Sequence, residues 1–146
     1  MHILTFSDFK AHHEPLCKKL GILKFVDNIE LSNCIFVHDF LNKNLPVSYV
    51  DTFTRIEDTE SSYDTRQSST GMLRIPKYNG VTFGLKSIYN RCMISWNKYT
   101  AEINKVHKQK FVNKMRSTDI DLIKLSKNSL KETVTKHILS KYTERE

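Results

Sequence analysis

The sequence predicts a mainly α-helical protein, built from one or more small helical domains with a minor β hairpin in the middle. Three observations lead to this prediction. Apolar residues recur at three- and four-residue steps over several long stretches. Only four Gly and three Pro interrupt the 146 residues. A single Asn-Gly pair, a strong turn signal, lies between two short apolar runs at Asn79-Gly80.

The first elements are short. Ile3–Phe6 reads as a strand or turn, and a short helix follows in which Glu14-Pro15 suits the first turn and Gly21 suits the end. The spacing of apolar residues then predicts a helix from Val26 to about Asn44. We expect Leu45-Pro46 to stop it, because proline disfavours helical geometry at the preceding residue.

The second half holds the longest predicted helix. Met72–Pro76 and Val81–Phe83 flank the Asn-Gly turn and predict the hairpin. Uninterrupted helical spacing runs from Leu85 to Ile103, and a further helical stretch covers about Lys105–Met115. Ser117-Thr118 offers an N-cap with Asp121 nearby, before a last helix marked at four-residue steps by Leu130, Val134, Ile138 and Tyr142.

Charge divides the chain into the modules that we predict. An N-terminal helical module (1–54) and a polar linker (55–70) precede a basic module of short strands and helices (71–146). Residues 1–70 carry 7 Lys and Arg against 10 Asp and Glu, whereas residues 71–146 carry 16 against 6. The basic half favours an anionic partner, for which nucleic acid is the commonest candidate. Lysines that merely solvate helix faces would give the same count.

Several classes of protein are disfavoured. No apolar run approaches the roughly 20 residues that a membrane-spanning helix needs, so we expect no membrane partner. The N-terminus lacks the basic lead of a secretory signal. Cys17, Cys34 and Cys92 are an odd, widely spaced set, and we expect free thiols in an intracellular protein of the cytoplasm, the nucleus or both.

Catalytic motifs are lacking, so we expect no enzyme in this chain alone, no metal site and no cofactor. Tyr49-Val50-Asp51-Thr52 is only faintly like the polymerase Tyr-x-Asp-Asp, and one aspartate cannot hold the two cations of phosphoryl transfer. His12-His13 with Cys17 matches no common zinc spacing. His38 lies on a mostly apolar helix, where a satisfied core or rim residue is the expected role.

The strongest binding signal is the segment from Lys105 to Arg116, which holds five Lys and Arg and no acid. A cationic helix face of this kind suits sequence-independent phosphate contacts. The candidate nucleic-acid-binding residues are Lys105, Lys108, Lys110, Lys114 and Arg116, with Arg74 and Lys77. A solvated helix face remains the rival interpretation. Met93, Trp96 and Tyr99 form a stripe that could stack on nucleotides, but core packing is the favoured interpretation because aliphatic residues share the face.

A series of motifs follows in order along nearly the whole chain: 3–12, 14–16, 19–24, 36–42, Leu45-Pro46, Tyr63-Asp64-Thr65-Arg66, Pro76, Phe83-Gly84, Ser87, Trp96-Asn97 and 122–142. Together these motifs resemble the region just past the polymerase domain in reverse transcriptases of non-LTR (LINE-type) retrotransposons. The family-signature residues among them are Tyr63, Thr65, Arg66, Pro76, Gly84, Ser87, Trp96 and Asn97. Many relatives carry His for Ser61, Asn for Asp64 and Gly-Pro for Cys92-Met93; without that Gly-Pro the helix can run straight through.

The resemblance implies a parent enzyme with an endonuclease and a polymerase palm, of which this chain would be the C-terminal extension. The palm would hold the catalytic carboxylates and their magnesium, so no catalytic residue is carried over. In such enzymes the extension is expected to help hold RNA or DNA, with the remainder of the reverse transcriptase as its partner. A helical protein-interaction module, or a decayed remnant with no selected activity, is the alternative.

Overall fold

The computed structural model describes residues 13–49, 52–56, 71–77, 87–110 and 121–142. Four α-helices lie in these ranges: α1 (His13–Leu20), α2 (Phe25–Leu41), α3 (Ile88–Lys110) and α4 (Lys127–Lys141). Two short 3-10 helices, Val47–Tyr49 and Leu122–Lys124, lie between them. The mainly α-helical prediction is confirmed.

The helices α2, α3 and α4 form a bundle with α2 in the middle. Glu30 of α2 pairs with Lys98 of α3, and Asn33 of α2 lies 3.6 Å from the Cys92 thiol, so these two helices are antiparallel. Asp39 of α2 pairs with Lys127 at the start of α4, which makes that pair antiparallel as well. Therefore α3 and α4 run in the same direction, and both end where α2 begins.

One core joins the three helices. Its buried side chains are Leu31, Cys34 and Val37 from α2, Cys92, Met93, Trp96, Tyr99 and Ile103 from α3, and Leu130, Val134 and Ile138 from α4. The aromatic stripe of α3 is therefore core, as favoured from its spacing. Residues of both the predicted N-terminal and basic modules contribute to this core, while the predicted boundaries at 54 and 71 stay predictions.

Both early helices close with the same backbone motif. Gly21 has φ 64° after α1, and the Ile22 N–H donates to the Cys17 carbonyl at 2.9 Å, as the predicted glycine end requires. The predicted end of α2 near Asn44 is wrong, because the helix ends at Leu41. Lys43 adopts φ 58°, and Asn44 donates to the Asp39 carbonyl at 2.8 Å, so the carbonyls of the last turn are satisfied before Pro46 is reached.

The helix α3 is longer than either stretch predicted for it. It begins after Ser87, whose hydroxyl accepts a 3.3 Å hydrogen bond from the Asn90 N–H. It passes without a break through Cys92 and Met93, as the missing Gly-Pro indicated. It also continues past Ile103 to Lys110, so the predicted separation of two helical stretches is wrong. Asn104, at the predicted junction, is buried, so this part of the helix also packs against the rest of the protein.

The last helix has a different N-cap from the one expected. Ser126 caps α4, since its hydroxyl accepts from the Ser129 N–H at 3.2 Å. Asp121 instead caps the 3-10 helix Leu122–Lys124. Ser117 and Thr118 lie outside the described residues, so an N-cap role for them is not seen in the described α4.

The predicted hairpin has only its first half within the described residues. Residues 72–77 are extended, but Val81–Phe83 lie outside the described ranges. Leu73 forms an isolated antiparallel bridge with Arg55, and Arg74 donates to the Thr54 carbonyl at 2.9 Å. The extended segment therefore pairs with residues 54–56, which precede it in the chain.

Candidate nucleic-acid interface

The outward face of α3 carries cations two helical turns apart. Arg91, Lys98 and Lys105 follow one another at seven-residue steps, and all three are exposed. Seven residues rise about 10.5 Å along a helix, so the three side chains form a row along one face. Lys98 is held by Glu30 at 2.7 Å, whereas Arg91 and Lys105 have no ion pair among the described residues.

The candidate binding residues predicted from the sequence are only partly described. Lys105 is exposed on α3, and Arg74 and Lys77 are exposed on the extended segment. Lys108 and Lys110 belong to the last turn of α3, but their side chains lie outside the described residues, as do Lys114 and Arg116. Arg74 follows Leu73, which is held at Asn97, eight residues before Lys105 on α3. That Arg74 and Lys77 share one binding surface with Lys105 stays a prediction.

All described carboxylates already have a partner, which leaves the surface positive. The described ranges contain 17 Lys and Arg against seven Asp and Glu. The pairs are Glu14 with Lys24, Asp27 with Tyr142, Glu30 with Lys98 and Tyr99, Asp39 with Lys127, Glu102 with His137 and Lys141, Asp121 with Lys124, and Glu132 with Lys136. The exposed cations that have no such pair within the described ranges are Lys19, Lys43, Arg74, Lys77, Arg91, Lys105 and Lys131.

Cations concentrate where α2 begins and α3 ends. Phe25 lies five residues before Glu30, and five residues after its partners Lys98 and Tyr99 come Ile103 and Asn104. Lys105 therefore lies just beyond the level of the start of α2. Lys18 and Lys19, in the last turn of α1, precede Phe25 by seven and six residues and are exposed. We name the surface formed by Lys18, Lys19, Phe25 and Lys105 the basic end.

Two partly buried acids, Glu102 and Glu30, are held by donors from neighbouring helices. Glu102 accepts hydrogen bonds from His137 at 3.0 Å and from Lys141 at 2.5 Å. Burial alone would raise the pKa of Glu102, but these two donors outweigh it and hold that pKa below its ordinary value. Glu30 behaves alike: burial opposes ionisation, while the donors Lys98 and Tyr99 lower its pKa. Both carboxylates therefore stay ionised and neutralised, and neither faces a ligand as a free acid.

The family-signature residues that are described have structural contacts. Trp96 is 1% exposed, and its indole N–H donates to the Gly71 carbonyl at 3.0 Å. Asn97 binds the backbone of Leu73 with both ends of its amide. Ser87 caps α3 and Pro76 is exposed. Tyr63, Thr65, Arg66 and Gly84 lie outside the described residues.

Among the residues considered for catalysis or metal binding, His38 and the three cysteines are described with their side chains, and all four are buried. His38 is buried in the core, as expected, and its Nε2 donates to the Leu125 carbonyl at 2.8 Å. Its Nδ1 has no hydrogen-bond partner among the described residues, so the ring is satisfied at one nitrogen only. The three cysteines are free and buried, and burial raises the pKa of the Cys34 thiol to about 12. Within the described ranges, no group of three or more His, Cys, Asp or Glu residues could hold a metal ion. Asp51 lies outside them.

Sequence reasoning missed Phe25 and Arg91. Phe25 is the first residue of α2 and 78% exposed. The apolar spacing that predicted this helix begins at Val26, so Phe25 was not included in the predicted helix. The seven-residue spacing of Arg91, Lys98 and Lys105 was a usable signal for an exposed cationic row. This cationic row was overlooked because the apolar residues of the same helix form the stronger pattern.

Comparison of the chain with protein-family models, with curated proteins and with solved structures finds no match. None of the helices in the described ranges is both long enough and apolar enough to cross a membrane.

Proposed function

We propose that this chain is the non-catalytic C-terminal region of a non-LTR retrotransposon reverse transcriptase and that it contributes contacts to RNA or DNA. The single observation that supports binding is the use of every described carboxylate inside the molecule. Because those acids are paired, the remaining exposed lysines and arginines are available to an external anion. Nucleic-acid phosphates are the anions that such a sequence-independent cationic surface fits.

The resemblance to the retrotransposon family supports the assignment to a parent enzyme. Three of its landmark residues, Ser87, Trp96 and Asn97, make the contacts that begin α3 and attach the extended segment to it. Residues with such roles are expected to recur in relatives that share the fold. The proposed role is contact with nucleic acid within the larger enzyme, and the endonuclease, palm and magnesium site would belong to other parts of that enzyme.

Salt dependence of binding tests the proposed interface. We expect the chain to bind a fluorescently labelled RNA or DNA weakly and with little sequence preference, and the affinity to fall as salt rises from about 50 to about 200 mM. Replacing Lys105, Lys108, Lys110 and Lys114 together by Gln should reduce both the affinity and the slope of log affinity against log salt. An unchanged titration would reject the interface.

A matched control separates a local interface from a general effect of charge. Lys43, Lys124 and Lys127 lie at the opposite end of the bundle, where α2 ends and α4 begins, and Lys131 lies one turn further along α4. Replacing these four by Gln changes the net charge by the same amount. If the interface is local, the control variant should keep most of the slope of log affinity against log salt, whereas the first variant should lose it.

A primer-extension assay tests the non-catalytic part of the proposal. The purified chain, given an RNA template, a primer, nucleotides and magnesium, should extend nothing, because polymerisation needs clustered carboxylates to hold its metal ions. Extension by this chain alone would overturn the proposal.

A helical protein-interaction module is the second candidate, and one observation favours it. Ile22, Phe25, Val26 and Ile29 are large apolar side chains that stay exposed at the start of α2. An apolar patch of this kind on a soluble surface commonly marks a protein contact. If this patch binds protein, the chain should self-associate on size-exclusion chromatography, whereas a monomer with salt-dependent RNA binding favours the first candidate. A decayed remnant with no selected activity would also expose apolar helix faces, and we expect it to self-associate or aggregate.

A further inference from the structure

We propose that the basic end takes a single-stranded nucleic acid, with the ring of Phe25 stacking on an unpaired base while neighbouring lysines contact the phosphates. This inference rests on the proposed function and deepens it, because it specifies the class of nucleic acid and the side chain that distinguishes it.

Phe25 differs from the other described phenylalanines in having no aromatic partner. Phe53 contacts Phe36 and Phe40 edge to face, with ring centroids 6.1 and 4.9 Å apart. Among the described residues no ring contact is found for Phe25, which is 78% exposed. A large ring in water without a structural contact is a suitable platform for a planar ligand.

The position of Phe25 on α2 explains why it is bare. Phe25, Ile29 and Phe36 follow a four- and seven-residue spacing, so they share the outward face of the helix. The far end of this face is covered, because Tyr49 and Phe53 pack on Phe36. No described residue covers the other end of this face, at Phe25. The uncovered part of the apolar row is therefore confined to the basic end.

The charge around Phe25 is complementary to phosphate. Lys18 and Lys19 of α1 precede it by seven and six residues, and Lys105 of α3 lies just beyond the level of the start of α2; all three are exposed. The acids at the same end are already paired: Glu14 pairs with Lys24, and Asp27 accepts from the Tyr142 hydroxyl. A polyanion thus meets cations at this surface and no free carboxylate from the described residues.

Single strands fit this surface better than duplexes or proteins. The bases of a duplex are already stacked on their neighbours, whereas an unpaired base presents a free face to an aromatic ring. Aliphatic neighbours such as Val26 and Ile29 would also suit a protein helix. The positive charge of Lys18, Lys19 and Lys105, however, favours a nucleic acid, because each of its nucleotides carries a negatively charged phosphate.

The test compares three substitutions at or beside Phe25 by fluorescence anisotropy with a labelled twelve-nucleotide oligouridine. Phe25→Leu keeps an apolar side chain but removes the ring, and it should weaken binding roughly ten-fold, within the range known for one stacked base. Phe25→Trp retains a stacking surface and should bind as tightly as the original chain or more tightly. Val26→Ala, an exposed apolar neighbour, is the matched control and should leave affinity unchanged.

Two further readouts separate stacking from charge. Phe25→Leu should leave the salt slope unaltered, because it removes no cation. It should also leave binding of an RNA duplex of the same length unaltered. Far-UV circular dichroism of each variant checks that the helices are retained.

The outcomes separate this inference from the proposed function. If Phe25→Leu binds oligouridine as well as the original chain does, stacking by Phe25 is rejected. The cationic interface is still tested separately by the lysine variants. If the original chain self-associates and Phe25→Leu is monomeric with unchanged oligouridine binding, the patch contacts protein and the inference fails. If no form of the chain binds nucleic acid, both proposals fail.

Discussion

The side-chain amide of Asn97 makes both backbone hydrogen bonds of Leu73. Its Oδ1 accepts from the Leu73 N–H and its Nδ2 donates to the Leu73 carbonyl, each at 2.8 Å. The amide thus acts as a neighbouring strand would, from a position on the helix α3. Leu73 is 1% exposed, so these backbone groups have little access to water. The contact attaches the extended segment to the bundle.

Replacing Asn97 by Ala should lower the free energy of unfolding by about 1 to 3 kcal/mol, because two poorly hydrated backbone groups lose their partner. Urea unfolding followed by circular dichroism measures the change. Asn28→Ala, at an exposed position of α2, is the control and should stay within about 0.5 kcal/mol. A loss no larger than that of the control would show that the segment is held by other contacts.

Trp96 attaches the same segment through the Gly71 carbonyl, so its effect should not be independent of Asn97. Trp96→Phe removes the indole N–H and some buried volume, and it should destabilise the protein by at least about 1 kcal/mol. The double variant Trp96→Phe with Asn97→Ala should lose less than the sum of the two single losses, because releasing one anchor already loosens the segment. Strict additivity in urea unfolding would contradict this coupling.

Stability should fall in acid partly through Glu102. Its folded-state pKa lies below the ordinary 4.5, so its contribution is present above that pH and is lost as pH falls through the folded pKa. Glu102→Gln should therefore flatten the decline in unfolding free energy between about pH 5 and about pH 3. Glu132→Gln tests the specificity of this effect, since Glu132 is exposed and its partner Lys136 is on the same helix. It should change the curve less, and added salt should remove what change there is.

The cap of α4 should be measurable by substitution of Ser126. Ser126→Ala removes the acceptor for the Ser129 N–H and should cost about 1 kcal/mol, whereas Ser126→Asp keeps an acceptor and should cost less. Ser32→Ala provides the comparison, because the Ser32 hydroxyl only donates to a carbonyl of its own helix. Equal losses for Ser126→Ala and Ser126→Asp in thermal unfolding would exclude a capping role.

Replacing one lysine, Lys105, should show where on the protein the interface lies. Lys105→Gln should reduce the slope of log affinity against log salt by about one, as expected for one lost phosphate contact. Arg91→Gln removes one charge from the same face of α3, about 21 Å away by helical rise, and should change the slope less. A larger effect of Arg91→Gln would move the proposed interface away from the basic end.

The sequence predicted which segments are helical better than it predicted the residues at which the helices end. Apolar spacing located α2, α3 and α4, because burial of one face imposes that period on any helix packed against a core. It placed the end of α2 near Pro46, yet Lys43 closes the helix earlier by adopting a left-handed φ. A lysine gives no sign of this in the sequence, because the conformation is not one that its side chain favours.

The candidate site was predictable only in part. The run of cations from Lys105 onward is visible in the sequence, and Lys105 is exposed on α3. Which carboxylates would neutralise lysines was not visible, because Glu30 meets Lys98, and Asp39 meets Lys127, across 68 and 88 residues. Phe25 could not be recognised as exposed, since its helix face is covered at Phe36 and bare at Phe25.

By itself the sequence determined the class of fold, the apolar faces of the helices and the glycine end of α1. Those features depend on residues that are close together along the chain, where spacing and turn chemistry act directly. The tertiary structure alone decided that Asn97 binds Leu73, that all described acids are engaged, and that Phe25 stays exposed among cations. Those features depend on which helix faces meet, and packing between distant segments sets that.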